Sequence, residues 1–165
     1  MEIFKTTSSV MDGYYELNLN IYDELLRAGR MVYPIAADDM HHLKPDGQFQ
    51  TEALGGYNMI CSPSLNYSDV MNAIEKGDMY ASMGPQIHEL SVEDGKITLK
   101  CSEAEAIFFR TGTRRGKYCF DATGGPKNEG IFNVQADDKY VYACVKDKFG
   151  KWAVTRAYTV DELIG

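Results

Sequence analysis

Histidine is scarce in this 165-residue chain: three in all, His41, His42 and His88. That scarcity limits any metal centre built on imidazole. The four cysteines, Cys61, Cys101, Cys119 and Cys144, form no Cys-x-x-Cys pair and have no tight spacing to a histidine, so neither a zinc ribbon nor a dithiol redox motif is present. A basic stripe is also missing. The net charge is −7 and the pI is near 4.9, which argues against a general nucleic-acid-binding surface. No apolar run approaches the ~20 residues of a membrane-spanning helix. The first residues lack the apolar core, ~7–15 residues long, of a secretion signal, so a cytoplasmic setting is the expectation. Gly-rich phosphate loops, a Ser-centred nucleophile elbow and heptad runs are absent too.

What remains is ordinary globular material, 44% hydrophobic, enough for one or two small domains. Its organisation changes near Met83-Gly84-Pro85. Before that point, strand-like and helix-like segments alternate. Ile3 and Phe4 open a short strand. Asn18 or Asn20 can cap a helix with Ile21, Tyr22, Leu25 and Leu26 on one face and Gly29 past its end. The run Met31 to Ala37 is almost continuously apolar, as for a parallel strand covered on both faces. Residues 43–58, with Pro45-Asp46-Gly47 and Gly55-Gly56, read as a long loop. A second helix is expected from a cap at Asn66, with Val70, Met71 and Ile74 inward and Gly77 as its stop.

After Pro85 the period becomes two. Ile87–Val92 and Lys96–Cys101 flank Glu93-Asp94-Gly95, a hairpin signal. Further strand-like runs follow at 106–111, 117–120, 130–134, 140–145 and 151–158. About seven short strands at this spacing predict a small antiparallel sandwich. Cys101, Cys119 and Cys144 fall within these runs, where a reduced thiol serves as a small apolar residue. A cross-sheet disulfide would require an oxidising compartment.

The chemistry concentrates in Asp38-Asp39-Met40-His41-His42, where the apolar run stops. In α/β folds the C-terminal ends of parallel strands are where ligands and catalytic groups gather. Carboxylate and imidazole suit divalent Zn, Mn or Fe. In an extended segment Asp39 and His41 project to one side, toward one metal cluster. Asp38 and His42 point the other way, as residues supporting the ligands or satisfied by nearby backbone. Two ligands fall short of the roughly three that a mononuclear catalytic site takes from protein.

Four segments in order resemble the polymerase and histidinol phosphatase (PHP) family. Glu2-Ile3-Phe4-Lys5 resembles that family's "EIxN" strand, with Lys5 in place of the usual Asn. Tyr22–Arg30 resembles the helix after it. Ile35-Ala36-Ala37-Asp38-Asp39-Met40-His41-His42 resembles the last metal-binding strand, and Gly55-Gly56-Tyr57-Asn58-Met59 together with Ile74–Ile87 resembles the closing helix and exit. The resemblance covers residues 1 to about 88. It implies an α+β chain: residues 1–84 as the C-terminal remnant of a (β/α)7 PHP barrel, and residues 85–165 as an immunoglobulin-like β-sandwich, the latter suggested also by Tyr140-Val141-Tyr142-Ala143-Cys144-Val145. It implies metal ligation by Asp39 and His41 and a phosphoesterase activity in which metal lowers the pKa of a bound water. The family's opening His-x-His and intermediate ligands have no counterpart here. The expectation is therefore a fragment, inactive alone, with weak or no metal binding and a small phosphorylated substrate for the parent protein. The alternative is a non-catalytic binding module centred on the sandwich. No nucleic-acid or membrane partner is expected, whereas Val32, Tyr33, Ile35, Leu25 and Leu26 would form an apolar face that either invites a homo-oligomer or packs onto the chain's own β module.

Other residues carry a bland reading beside a functional one. His88 reads as a half-exposed sheet histidine. Arg114, Arg115 and Lys117 bound a hairpin that either holds phosphate or is simply solvated. Lys5, Tyr14 and Tyr15 face either a substrate or water. Phe108, Phe109 and Trp152 read as core rather than as a sugar-stacking platform.

Overall fold

The structure, a computed structural model, describes residues 1–7, 17–40 and 53–165. It is mixed α and β, with mostly antiparallel sheets. The N-terminal part contains β1 (Glu2–Lys5), α1 (Leu19–Arg27), β2 (Ile35–Ala37), β3 (Tyr57–Ile60), α2 (Tyr67–Lys76) and β4 (Met79–Ser82). Then come β5 (Ile87–Glu93), β6 (Lys96–Ala104), β7 (Ala106–Thr111), β8 (Gly116–Phe120), β9 (Lys127–Asn133), β10 (Tyr140–Lys146), β11 (Trp152–Thr155), β12 (Tyr158–Thr159) and a short α3 (Val160–Ile164).

β1 and β2 pair in parallel, Phe4 opposite Ala36 and Lys5 opposite Ala37, with α1 in the connection between them. The strand expected over Met31–Ala37 shortens to three residues. Pro34 has no N–H to give a sheet, and Met31 is 44% exposed. On α1 the stripe Leu19, Tyr22 and Leu26 is buried, while Ile21 is 51% exposed, against the expected face. Residue 21 lies about 100° around the helix from residue 22, so it turns away from the stripe. Asn18 holds the cap position without a side-chain cap bond.

The remaining strands form a seven-stranded sheet, ordered β3-β4-β11-β10-β7-β8 with β12 beside β10, and a three-stranded sheet β5-β6-β9. β5 and β6 form the expected hairpin. Asp94 and Gly95 both have positive φ (49° and 70°), the backbone that a tight two-residue turn between twisted strands demands. Alternate residues of β10 face two different cores. Val141, Ala143 and Val145 meet Ile97, Leu99 and Phe132 of the small sheet. Tyr140, Tyr142 and Cys144 meet Ile3, Phe4, Tyr22, Leu26 and Ala36 of the β1–α1–β2 layer. This double cover explains why β10 is apolar on both faces from Tyr140 to Val145 while β6 alternates.

Sheet pairing runs across the expected boundary at residues 84 and 85. Tyr80, Ala81 and Ser82 of β4 pair with β11, and β3 extends the same sheet. The apolar face expected to seek a second copy is covered in part within the chain, with Leu25, Tyr33 and Ile35 half-buried. Leu26 is 2% exposed and Val32 packs on the same core. Tyr22 and Asp23 reinforce this docking: the Ala157 N–H donates to the Tyr22 hydroxyl (3.0 Å), and the Tyr140 hydroxyl donates to Asp23 (3.2 Å). Arg27 reaches the carbonyl oxygens of Thr111, Gly112 and Thr113.

α2 starts as expected at Asn66, whose side chain accepts from the Asp69 N–H (2.9 Å), and it ends at Gly77. All four cysteines are free thiols, three of them buried. Burial pushes the thiol of Cys101 up to about 11 and that of Cys144 up to about 12, so both stay protonated at neutral pH. Among the described residues no helix is long and apolar enough to cross a membrane.

Candidate functional site at the ends of the parallel strands

The parallel pair ends with polar residues on both strands: Lys5, Thr6 and Thr7 after β1, Asp38 and Asp39 after β2. Parallel strands deliver their C-terminal ends to one edge, which is why these groups meet although more than 30 residues separate them in sequence. The Thr7 N–H donates to the Asp38 carbonyl (3.0 Å), and the Thr7 hydroxyl lies 2.7 Å from the carbonyl oxygens of both Asp38 and Asp39.

Asp38 is the hub of this edge. Its Oδ1 accepts from the Thr6 hydroxyl (2.8 Å) and from the Gly55 and Gly56 N–H groups (2.9 Å each), while its Oδ2 accepts from the Leu54 N–H (2.6 Å). Three consecutive amides thus wrap one carboxylate. The Gly-Gly pair permits this approach. A Cβ on Gly55 would collide with the Thr6 side chain, and one on Gly56 would meet the Ala37 carbonyl oxygen at 2.9 Å. Burial works to raise the Asp38 carboxyl, but the Gly56 amide, the Thr6 hydroxyl and the Leu54 and Gly55 amides outweigh it and hold the group below its usual range.

Asn58 closes the outer edge of β2. Its side-chain oxygen accepts from the Ala36 N–H (3.0 Å) and its amide donates to the Ala36 carbonyl (2.8 Å), imitating a neighbouring strand at one residue. Among the described residues the parallel sheet therefore stops at two strands.

Asp39 pairs with Lys5, Oδ2 to Nζ at 3.0 Å. Its backbone is left-handed (φ 51°). β2 has already ended at Ala37, so the extended geometry that would project residues 39 and 41 to one side does not hold at Asp39. The tie of Asp38 to the 54–56 amides bends the chain there. His41 and His42 lie outside the described residues, as do Tyr14 and Tyr15. Asp38 is held by the Leu54, Gly55 and Gly56 amides and the Thr6 hydroxyl.

The other flagged residues are dispersed. His88 is exposed on β5. Arg115 is a structural cation: its Nη1 donates to Asp138 (2.6 Å) and its Nη2 to the Asn133 carbonyl (3.0 Å), and Asp138 is fully buried. Phe109 is core, stacked on Phe132, but Phe108 and Trp152 are only half-buried. Among the described residues no three His, Cys, Asp or Glu side chains converge as a metal site. Gly55, Gly56 and Asn58 figured in the resemblance, but sequence reasoning did not connect them to this edge. The Gly-Gly pair was the available signal, since paired glycines beside a polar strand end often mark close backbone approach.

No family model, curated protein or solved structure matches this chain.

Proposed function

We propose that the chain is the C-terminal portion of a PHP-type metal-dependent phosphoesterase, in which Asp39 and His41 serve a metal site completed by residues outside it. The isolated chain is inactive in this reading. The observation that carries it is the β1–α1–β2 unit, which brings the Asp39 carboxylate and the Lys5 ammonium together at the C-terminal ends of two parallel strands. Strand ends of this kind are where α/β enzymes assemble their sites.

The described residues alone do not suit a divalent metal. Asp38 has both oxygens engaged, and Asp39 is itself held by Lys5. A Zn site takes about four ligands, three of them from protein in a catalytic centre. Each residue's contribution is therefore positional. Asp38 fixes the turn by which the chain leaves β2, Asp39 offers an oxygen ligand beyond that turn, and Lys5 places at the same edge a positive charge of the sign a phosphoryl group requires.

Incubating the chain with Mn²⁺ or Zn²⁺ and a chromogenic phosphate ester should show weak metal binding and no turnover above a metal-only blank. Turnover that vanishes in Asp39→Ala and in His41→Ala would refute the claim of inactivity. Reading the coding frame upstream tests the family assignment separately: an in-frame His-x-His is expected, and a frame without one overturns it.

A further inference from the structure

Four aromatic rings run side by side over the outer face of the seven-stranded sheet. Trp152 of β11 stacks on Phe108 of β7 (centroids 5.4 Å apart), Phe108 on Tyr118 of β8 (4.8 Å), and Tyr118 on Phe120 (4.7 Å). The register makes this row: Tyr118 lies opposite Phe108, and residues 118 and 120 of one strand share a face. The inner part of this face is covered by the β1–α1–β2 layer. Tyr118 and Phe120, at its far end, are each 51% exposed.

Phe120 ends the row. Among the described residues it has Tyr118 as its single ring neighbour, and it borders a cavity of about 610 Å³. The β6–β7 connection, the loop after β8 and the turn after β10 enclose that space. Its lining holds the carboxylates of Glu103, Glu105, Asp121 and Asp147 against one ammonium, that of Lys148, with the 76% exposed ring of Phe149 alongside.

The carboxylates differ in how far they are committed. Asp121 accepts from the Thr123 N–H, Asp147 from the Phe149 and Lys151 N–H groups, and Glu105 pairs with Lys146. Glu103 is exposed and makes no hydrogen bond or ion pair among the described residues. Lys148 already lies over the Phe149 ring (5.1 Å to its centroid), an exposed self-contact of the type a cationic ligand would make.

We propose that this cavity binds a basic peptide through an arginine side chain stacked on Phe120 and paired with Glu103. Ring faces attract cations, and a planar guanidinium stacks better than a compact ammonium. The excess of carboxylate repels anionic ligands, and the whole chain, at −7, attracts basic ones. β8 is an edge strand of its sheet, so an extended peptide has a backbone partner beside the cavity. This binding role is the one left open by the sequence for the β-rich half, and it does not depend on the phosphoesterase reading.

The test is an NMR titration of the ¹⁵N-labelled full chain with a six-residue peptide of glycine and serine carrying two arginines, and with its citrulline counterpart of equal shape and no charge. The arginine peptide should shift amides at 103–105, 118–121 and 147–149, and the citrulline peptide should not. Glu103→Gln and Phe120→Leu, both at exposed positions, should each weaken binding by roughly 3–10-fold, the range of a half-exposed cation–π or charge contact. Absence of shifts at millimolar peptide, equal shifts from the citrulline peptide, or binding of a neutral tetrasaccharide in place of the arginine peptide would each overturn the proposal.

Discussion

Asp38 stands next to the expected metal ligands, yet its hydrogen bonds make it a fastener, and the two roles predict opposite results on substitution. Replacing Asp38 with Ala strands four donors: the Thr6 hydroxyl and the amides of Leu54, Gly55 and Gly56. A hydrogen bond to a charged acceptor contributes about 1.5–3 kcal/mol, but water reaches this half-buried edge and re-solvates part of the loss. The expected cost is about 2–3 kcal/mol, a fall in Tm of roughly 5–10 °C for a chain of this size. Asp38→Asn keeps one acceptor oxygen but turns an NH₂ toward the Leu54 N–H, so about 1–2 kcal/mol is expected. The pH dependence gives the sharper readout. Because the folded state holds this carboxyl below its usual range, the stabilisation is complete above about pH 4 and is lost as pH falls through the lowered folded value. The gap between the wild-type chain and Asp38→Asn should therefore narrow on acidification. Urea titrations at neutral and acid pH would measure it, with amide exchange at Gly55 and Gly56 reporting local opening that a global transition would miss. A gap unchanged between the two pH values, or an Ala variant within 0.5 kcal/mol of wild type as at an ordinary surface site, would refute the reasoning.

Arg115→Met should destabilise the chain by about 3 kcal/mol, the low end of the range for stranding a buried charge because Arg115 itself is 32% exposed. Pairing it with Asp138→Asn should recover part of that loss in thermal melts; strict additivity of the two single effects would show that the ion pair carries no coupling. Tyr22→Phe should cost about 1–3 kcal/mol by leaving the Ala157 N–H without its acceptor, measurable by urea denaturation followed at the single tryptophan. A loss below about 0.5 kcal/mol would mean that water or a shifted backbone replaces that bond.

The legibility of the fold follows from how local each signal is. The Asp94-Gly95 hairpin, the Asn66 cap and the Gly77 stop are fixed by a few neighbouring residues and were readable. The parallel pairing of Ile3-Phe4 with Ile35-Ala36 was also within reach, because a buried strand near a helix of this length favours a β–α–β crossover. The relation between the halves was left open between a second copy and the chain's own β-rich part. Tyr140, Tyr142 and Cys144 alternate with Val141, Ala143 and Val145, and a strand with no polar face in an otherwise alternating sheet needs a cover on each side. That signal was present in the residues of β10. The identity of the cover was not, because the match between Tyr22, Leu26 and those tyrosines is a matter of packing in three dimensions.

The candidate site divides along the same line. Residue type points to Asp38-Asp39 as chemistry, since carboxylates at the end of an apolar strand are costly unless something binds them. Which carboxylate the fold consumes depends on amides sixteen to eighteen residues later, and no period in the sequence connects Asp38 to Leu54, Gly55 and Gly56. Asp38 is occupied because three N–H groups, freed from any helix or sheet by the Gly-Gly bend, need an acceptor as much as the carboxylate needs donors. Asp39, one residue further and in a left-handed conformation, is directed away from that nest and meets Lys5 instead. A half-buried lysine paired with an exposed carboxylate contributes about 0–1 kcal/mol, far less than the bonds that hold Asp38. Of two adjacent, chemically identical side chains, one is thus committed to holding the strand ends together through backbone amides, and the other pairs with Lys5 at the same edge.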